Sequence, residues 1–198
     1  MNDDQLINKQ YHILQRSKKL DNDDKYIYDK VGNLINNSLE TINFDIKKCL
    51  ELGYSTNIVN EYIVSRFKNV DYSIAEISSN LLKQNINNIN NINNINIFQF
   101  DHDKWNIKKN DLDLIISNFY LHLTSNIDLL FKNIHNSLQN NGFFIATMPS
   151  NNSFYELKNS MIQADTEIYN GVYRRFMKCY SVENLNLLLK KYNYKMPV

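Results

Sequence analysis

Lys47–Asn57, KKCLELGYSTN, is the stretch on which the fold is read. A short apolar run ends on Glu51, Leu52 and Gly53, and a helix-like pattern follows. A strand that ends in a glycine turn and feeds a helix is how a doubly wound α/β sheet makes its ligand crevice. Glycine permits positive φ and close approach of a ligand to the backbone, and the following helix offers unpaired N–H groups. Ser55 and Asn57 stand where a glycine-rich loop would repeat its glycine. Serine is small and asparagine tolerates the left-handed region, so the loop is expected to keep its shape. Taken alone, an ordinary strand-to-helix turn accounts for the same residues.

At 198 residues the chain is expected to be one domain with its own core. Its 22 basic and 21 acidic residues leave a net charge of +1, which gives no electrostatic reason to expect nucleic acid as a partner. Cys49 and Cys179 lie far apart without metal-ligand spacing, so no metal site is expected and a reducing compartment fits best; Cys49 reads as a small core residue. No apolar run approaches the roughly 18 residues of a spanning helix, and the acidic opening MNDDQ is unlike a presequence. The chain is therefore read as not membrane-spanning. The bias toward Asn, Ile, Lys and Tyr, with only 4 glycines and 2 prolines, carries little functional weight.

Residues 5–20 and 25–43 place apolar side chains at three- and four-residue steps and are predicted helices, forming an N-terminal helical segment over 1–45. DNDD at 21–24 supplies the break and an acidic cap for the second helix. The remainder, 46–198, is read as the ligand-binding domain. Strand one runs over 47–52 and its helix over 56–66; 69–75 is strand two, with Glu76 at its carboxyl end. In a dinucleotide-type crevice an acid about 20 residues beyond the glycine turn accepts hydrogen bonds from ribose hydroxyls, and Glu76 stands about that far past Gly53. A short helix at 78–84 precedes NINNINNINNINI, whose three-residue period reads as a low-complexity loop insertion at 85–97. Strand three then ends at Asp101-His102.

DLDLIISNF, 111–119, is apolar without alternation, as buried parallel strands are, and should be central; it brings Ser117, Asn118 and Phe119 to the rim that holds Gly53, Glu76 and Asp101. A helix over 125–139, capped by Ser125 and stopped by Asn140-Asn141-Gly142, leads into strand five at 142–149. Helices over 153–167 and 181–192 each open on a serine. Between them Arg174 and Arg175 either face a carboxylate or phosphate or form a solvated turn.

With LELG at 50–53, Glu76, Asp101, DLDLIISNFYLHL, NIHNSLQNNGFFIATMP and SVENLNLLLKKYNY in place, the chain resembles the class I S-adenosylmethionine-dependent methyltransferases of type 11-like kind over roughly residues 30–194. FYELKNSMIQADTE and LHL are similar to the branch holding the biotin-pathway malonyl-carrier-protein methyltransferases and, more closely, the mitochondrial complex I assembly factors. The resemblance implies a Rossmann-like class I methyltransferase fold, α/β, with a mostly parallel central sheet and helices on both faces. It implies S-adenosylmethionine as cofactor, with Glu51 orienting the turn and Gly53, Tyr54 and Ser55 near its amino-acid part. Glu76 and Ile77 would hold the ribose, Asp101 and His102 would border the adenine, and Asn118 would line the methionine end. His122 and Tyr155 are the candidate bases it selects. The implied substrate is a small molecule, a carrier-bound acid or a protein side chain. The alternative is an assembly factor that hydroxylates an arginine of a respiratory-chain subunit, or binds it without catalysis. A dehydrogenase fits less well, because the second and third glycines are absent. The implied compartment is mitochondrial, otherwise cytoplasmic. Relatives continue through a terminal antiparallel hairpin beyond the position of Val198, so that hairpin is expected to be truncated here.

Overall fold

β4, Leu112–Asn118, is buried at all seven positions and sits where the sheet is thickest with neighbours. In the computed structural model, which describes residues 9–18, 22–90, 95–173, 175–176 and 179–195, with the side chains of 22–24 and 85–90 set aside, it joins four other strands. These are β1, Lys48–Leu52; β2, Asp71–Glu76; β3, Ile95–Gln99; and β5, Leu138–Thr147. The order is β3-β2-β1-β4-β5 and all four pairings are parallel. Strand order therefore reverses between β1 and β4, and a crevice opens at their carboxyl ends.

Register explains the two faces. Cys49 aligns with Leu114 and then Phe143, while Leu50 aligns with Ile115 and then Phe144. Successive side chains point to opposite faces, so each strand feeds two cores. On one face lie helix α2, Asn22–Glu40, and helix α3, Ile58–Arg66, whose Ile35, Leu39, Val59 and Ile63 pack with Cys49, Leu114 and Ile116. On the other, helix α5, Ile127–Ser137, sets Phe131 edge-on to Phe144 at 5.7 Å. Asp113, buried at 5 % exposure, accepts the backbone N–H groups of Lys47 and Lys48 at 2.8 Å each and ties the chain entering β1 to β4. The chain divides into two compact units, 2–148 and 149–198. The second holds helix α6, Tyr155–Tyr169, and helix α7, Val182–Lys191, and a single parallel bridge between Ser150 and Tyr180.

The parallel α/β sheet and all five strands match the sequence reading. Several boundaries do not. Residues 85–90 continue helix α4, Ser79–Asn90, and 95–97 begin β3, leaving 91–94 of the expected insertion outside the described residues. An isoleucine every third residue lies close enough to the 3.6-residue period to extend an existing helix. Residues 22–24 likewise belong to α2 and not to a break. α5 is capped by Asn126, whose side chain accepts the Leu129 N–H at 2.9 Å, one residue past the expected Ser125. Asn140-Asn141-Gly142 is not a helix stop. It is a bulge inside β5, where pairing jumps from Leu112↔Leu138 to Leu114↔Phe143 and Asn141 takes φ +67°. α6 opens on a left-handed Phe154 without a side-chain cap, whereas Ser181 does cap α7.

Candidate functional site

The glycine turn needs its one glycine. Gly53 has φ +79° and donates its N–H to the Ala75 carbonyl at 2.9 Å, so the turn is clamped to β2. A Cβ there would stand 2.2 Å from Cδ2 of Tyr120. Neither Ser55 nor Asn57 is left-handed: Asn57 has φ −78° and ψ −7°, which any residue adopts. The missing glycines therefore cost this loop no backbone strain. Its polar side chains are buried, and among the described residues Ser55 Oγ, Thr56 Oγ1 and both amide atoms of Asn60 have no hydrogen-bond partner. Buried polar groups are nearly always paired, so a run of orphans beside a glycine turn marks a place for a polar ligand or ordered water.

The acids of the rim have distinct surroundings. Glu76, fully buried at the end of β2, accepts the N–H of Tyr54 at 3.0 Å and that of Ser78 at 2.9 Å, and forms an ion pair with Arg16. Glu51, also buried, accepts the Tyr72 hydroxyl at 2.8 Å; burial pushes its carboxyl up to about 7, with the Tyr72 hydrogen bond opposing. Through that bond it braces β1 on β2, while its other oxygen, Oε1, is buried without a hydrogen-bond partner. Ile77 is likewise buried, and its carbonyl accepts Gln99 Nε2 at 3.3 Å. Asp101 caps the short 3-10 turn His102–Lys104 through the Asp103 N–H and pairs with Lys9. His102 is buried, which lowers its pKa, and its Nδ1 lies 3.1 Å from the Tyr120 hydroxyl.

Tyr120 is the residue that sequence reasoning missed. Phe119 takes φ +52°, a conformation rare for a bulky side chain, and donates its N–H to the carbonyl and to Oγ1 of Thr147. That kink carries Tyr120 from the end of β4 onto the glycine turn, 1 % exposed. Asn118 has both ends of its amide engaged, donating to the Tyr28 carbonyl and accepting from Thr147 Oγ1, each at 3.0 Å. His122 is held neutral by burial, its pKa lowered to about 4, with Nδ1 unpartnered.

Above this rim lies helix α1, Lys9–Arg16; of the two readings the sequence leaves open for the leading helices, covering the crevice or packing on the sheet edge, this helix takes the first. Lys9, His12 and Arg16 fall on one helical face, and that spacing was the available signal. His12 is buried with neither ring nitrogen partnered, 6.2 Å from the Tyr120 ring. Gly53, Tyr54, Ser55, Glu76, Asp101 and His102 thus gather at one rim with Tyr120 and α1. Tyr155 belongs to the second unit, where it is 61 % exposed at the start of α6. Arg175 there forms a bidentate pair with Asp165, which is the carboxylate the turn faces; Arg174 lies outside the described residues. An open cavity of about 450 Å³ lined by Asn69, Val70, Asp71, Ile95 and Asn96 is at the opposite end of β2 and β3. No metal-holding cluster and no helix long and apolar enough to cross a membrane occur among the described residues.

The residues fit a nucleoside-bearing cofactor: a left-handed glycine, an acid on the neighbouring strand end held by two backbone N–H groups, and buried polar atoms without partners. Comparison with known proteins agrees with this geometry. The chain is 26 % identical over 168 residues to the mitochondrial arginine-hydroxylase NDUFAF5 of Homo sapiens, covering 83 % of this chain and 46 % of that protein. It is 27 % identical over 144 residues to malonyl-acyl-carrier-protein O-methyltransferase 2 of Ilyobacter polytropus, covering 73 % and 53 %. It thus spans about half the length of these curated relatives. In fold it is similar to the phosphoethanolamine N-methyltransferase 2 of Haemonchus contortus, solved with S-adenosylhomocysteine, at TM-score 0.61, 17 % identity, and coverage of 81 % of this chain and 36 % of that one. Residues 24–196 match the family model described as a methyltransferase domain, and the chain belongs to that family.

Proposed function

We propose that the chain binds S-adenosylmethionine in the crevice between β1 and β4 and serves as the cofactor domain of a methyltransferase. The observation that carries this reading is Glu76. Its buried carboxylate is oriented by the Tyr54 and Ser78 N–H groups beside the left-handed Gly53, at the strand end where a ribose acid belongs. Gly53, Tyr54 and Ser55 would take the amino-acid end, Glu76 and Ile77 the ribose, and Asp101 and His102 the adenine edge. Glu51 and Asn118, both engaged within the fold, would brace the walls. When bound, the cofactor supplies an electrophilic methyl group on a sulfonium. This chain's residues orient and desolvate; transfer of that kind depends chiefly on positioning. His122 is too weak a base near neutral pH for proton removal, and its unpartnered Nδ1 suits it to position an acceptor by hydrogen bonding.

Alignment with this chain covers about half of each curated relative, and the acceptor is a small molecule, a carrier-bound acid or a protein side chain. A second reading, an assembly factor for a mitochondrial respiratory complex, is favoured by one specific observation: Arg16 pairs with Glu76 and the Tyr120 ring packs on Gly53, so groups assigned to the cofactor are engaged within the chain. Capture of a respiratory subunit without cofactor-dependent labelling of it supports that second reading. Calorimetric titration with S-adenosylmethionine and S-adenosylhomocysteine tests the first. Micromolar binding that weakens in Glu76→Ala is expected, and absence of binding by a cooperatively folded chain overturns it.

A further inference from the structure

Helix α1 presents its basic face, Lys9, His12 and Arg16, to the acids of the rim, and the contacts are specific. Arg16 Nε donates to Glu76 Oε1 at 3.3 Å, its Nη2 reaches Glu76 Oε2, and the same Nη2 donates to the Tyr54 carbonyl at 2.5 Å. The guanidinium also stands 5.4 Å from the centroid of the Tyr120 ring, whose edge fills the space against Gly53. Lys9 bridges Asp101 and Asp103, the second at 2.8 Å. Just past the helix, Ser17 Oγ lies 2.7 Å from Ser78 Oγ, and Gln84 Nε2 donates to the Ser17 carbonyl at 3.2 Å. One short helix therefore holds both acids that a nucleoside would need, Glu76 and Asp101.

We infer that α1 is a strap that competes with the cofactor for its own site: Arg16 occupies the ribose carboxylate and Lys9 the adenine-side acid until the ligand displaces them. This rests on the assignment of Glu76 to the ribose. Two features make the closure reversible. Among the described residues the helix spans eight, a length that is marginal without its tertiary contacts. And His12 is buried in the closed state with both ring nitrogens unpartnered, a desolvation that release of the strap relieves. The Lys9 contacts are partly exposed, at 37 % for its side chain, so added salt weakens that end first, whereas the Arg16 contact, at 11 %, resists screening.

The test uses S-adenosylhomocysteine as probe with wild type, Arg16→Gln and Lys9→Met, read by calorimetry and by amide hydrogen exchange over residues 9–16. If about a tenth of the wild-type population is open, Arg16→Gln binds about tenfold tighter, and Lys9→Met shifts the same way by less. Exchange over 9–16 rises in ligand-saturated wild type toward the level of unliganded Arg16→Gln. Equal or weaker binding by Arg16→Gln overturns the strap while leaving the cofactor reading intact. Unchanged or increased protection of 9–16 on ligand addition does the same. If no form binds, the cofactor reading fails and the competition fails with it. Lys9→Met lies at the exposed end, so its result stands even if the buried Arg16 substitution impairs folding.

Discussion

Replacing Gly53 with alanine is the sharpest perturbation the structure offers. The added Cβ meets Cδ2, Cγ and Cβ of Tyr120 at 2.2, 2.3 and 2.7 Å, far inside contact distance, at a backbone φ of +79°. The left-handed conformation costs an alanine about 1–2 kcal/mol relative to glycine. Moving the Tyr120 ring, 1 % exposed and tied to His102, adds an overpacking cost of about 1–3 kcal/mol. The expected loss is about 2–5 kcal/mol, against a total stability of roughly 5–15 kcal/mol for a domain of ordinary kind. Urea denaturation followed by circular dichroism measures it, and Tyr120→Leu closes a double-mutant cycle. Because the clash is with that ring, the double variant should lose about 1–3 kcal/mol less than the two single losses added. A Gly53→Ala variant within about 0.5 kcal/mol of wild type, or a strictly additive cycle, refutes the packing of Tyr120 on the turn.

Three further outcomes are expected. Glu51 has its folded pKa raised to about 7 from 4.5, so the folded chain holds a proton that the unfolded chain releases; its contribution is complete below pH 4.5 and is lost as pH rises through 7. Stability of wild type relative to Glu51→Gln should therefore fall by about 3 kcal/mol over that window, read from urea midpoints at each pH. Asp113→Ala strands the Lys47 and Lys48 N–H groups and should cost about 2–4 kcal/mol, with Asp113→Asn costing less because its amide oxygen still accepts; a thermal melt of the pair checks this. Asn126→Ala should cost about 1 kcal/mol while Ser125→Ala stays within about 0.5 kcal/mol, and equal effects would place the cap elsewhere.

Strands were legible because buried parallel strands announce themselves: LDLIISN at 112–118 is apolar without period and is buried throughout. Gly53, Glu76 and Asp101 were legible because each sits at the end of such a run, and strand ends fix rim positions. What hid were features created by a second element. The Tyr120 ring lies on the turn only because Phe119 is left-handed, and no local rule asks that of phenylalanine. Apart from their spacing, Lys9 and Arg16 carry no local signal of their own; they matter because the fold sets α1 over Glu76 and Asp101. Asn141 and Gly142 resemble a helix stop because a bulge and a helix end both ask for a left-handed residue, and only pairing with Leu112 and Leu114 decides between them. The Asn-Ile tract was misread for a simpler reason. Composition set it apart, but a period of three is one that a helix already under way can absorb.

The most direct test of the cofactor crevice is amide hydrogen exchange of the whole chain with and without saturating S-adenosylhomocysteine. New protection is expected over the glycine turn at 53–57, at 76–78 and at 101–104, together with loss of protection over α1, Lys9–Arg16. Protection confined to the opposite rim around Asn69, Asp71 and Ile95, or no change anywhere in a folded chain, would contradict it.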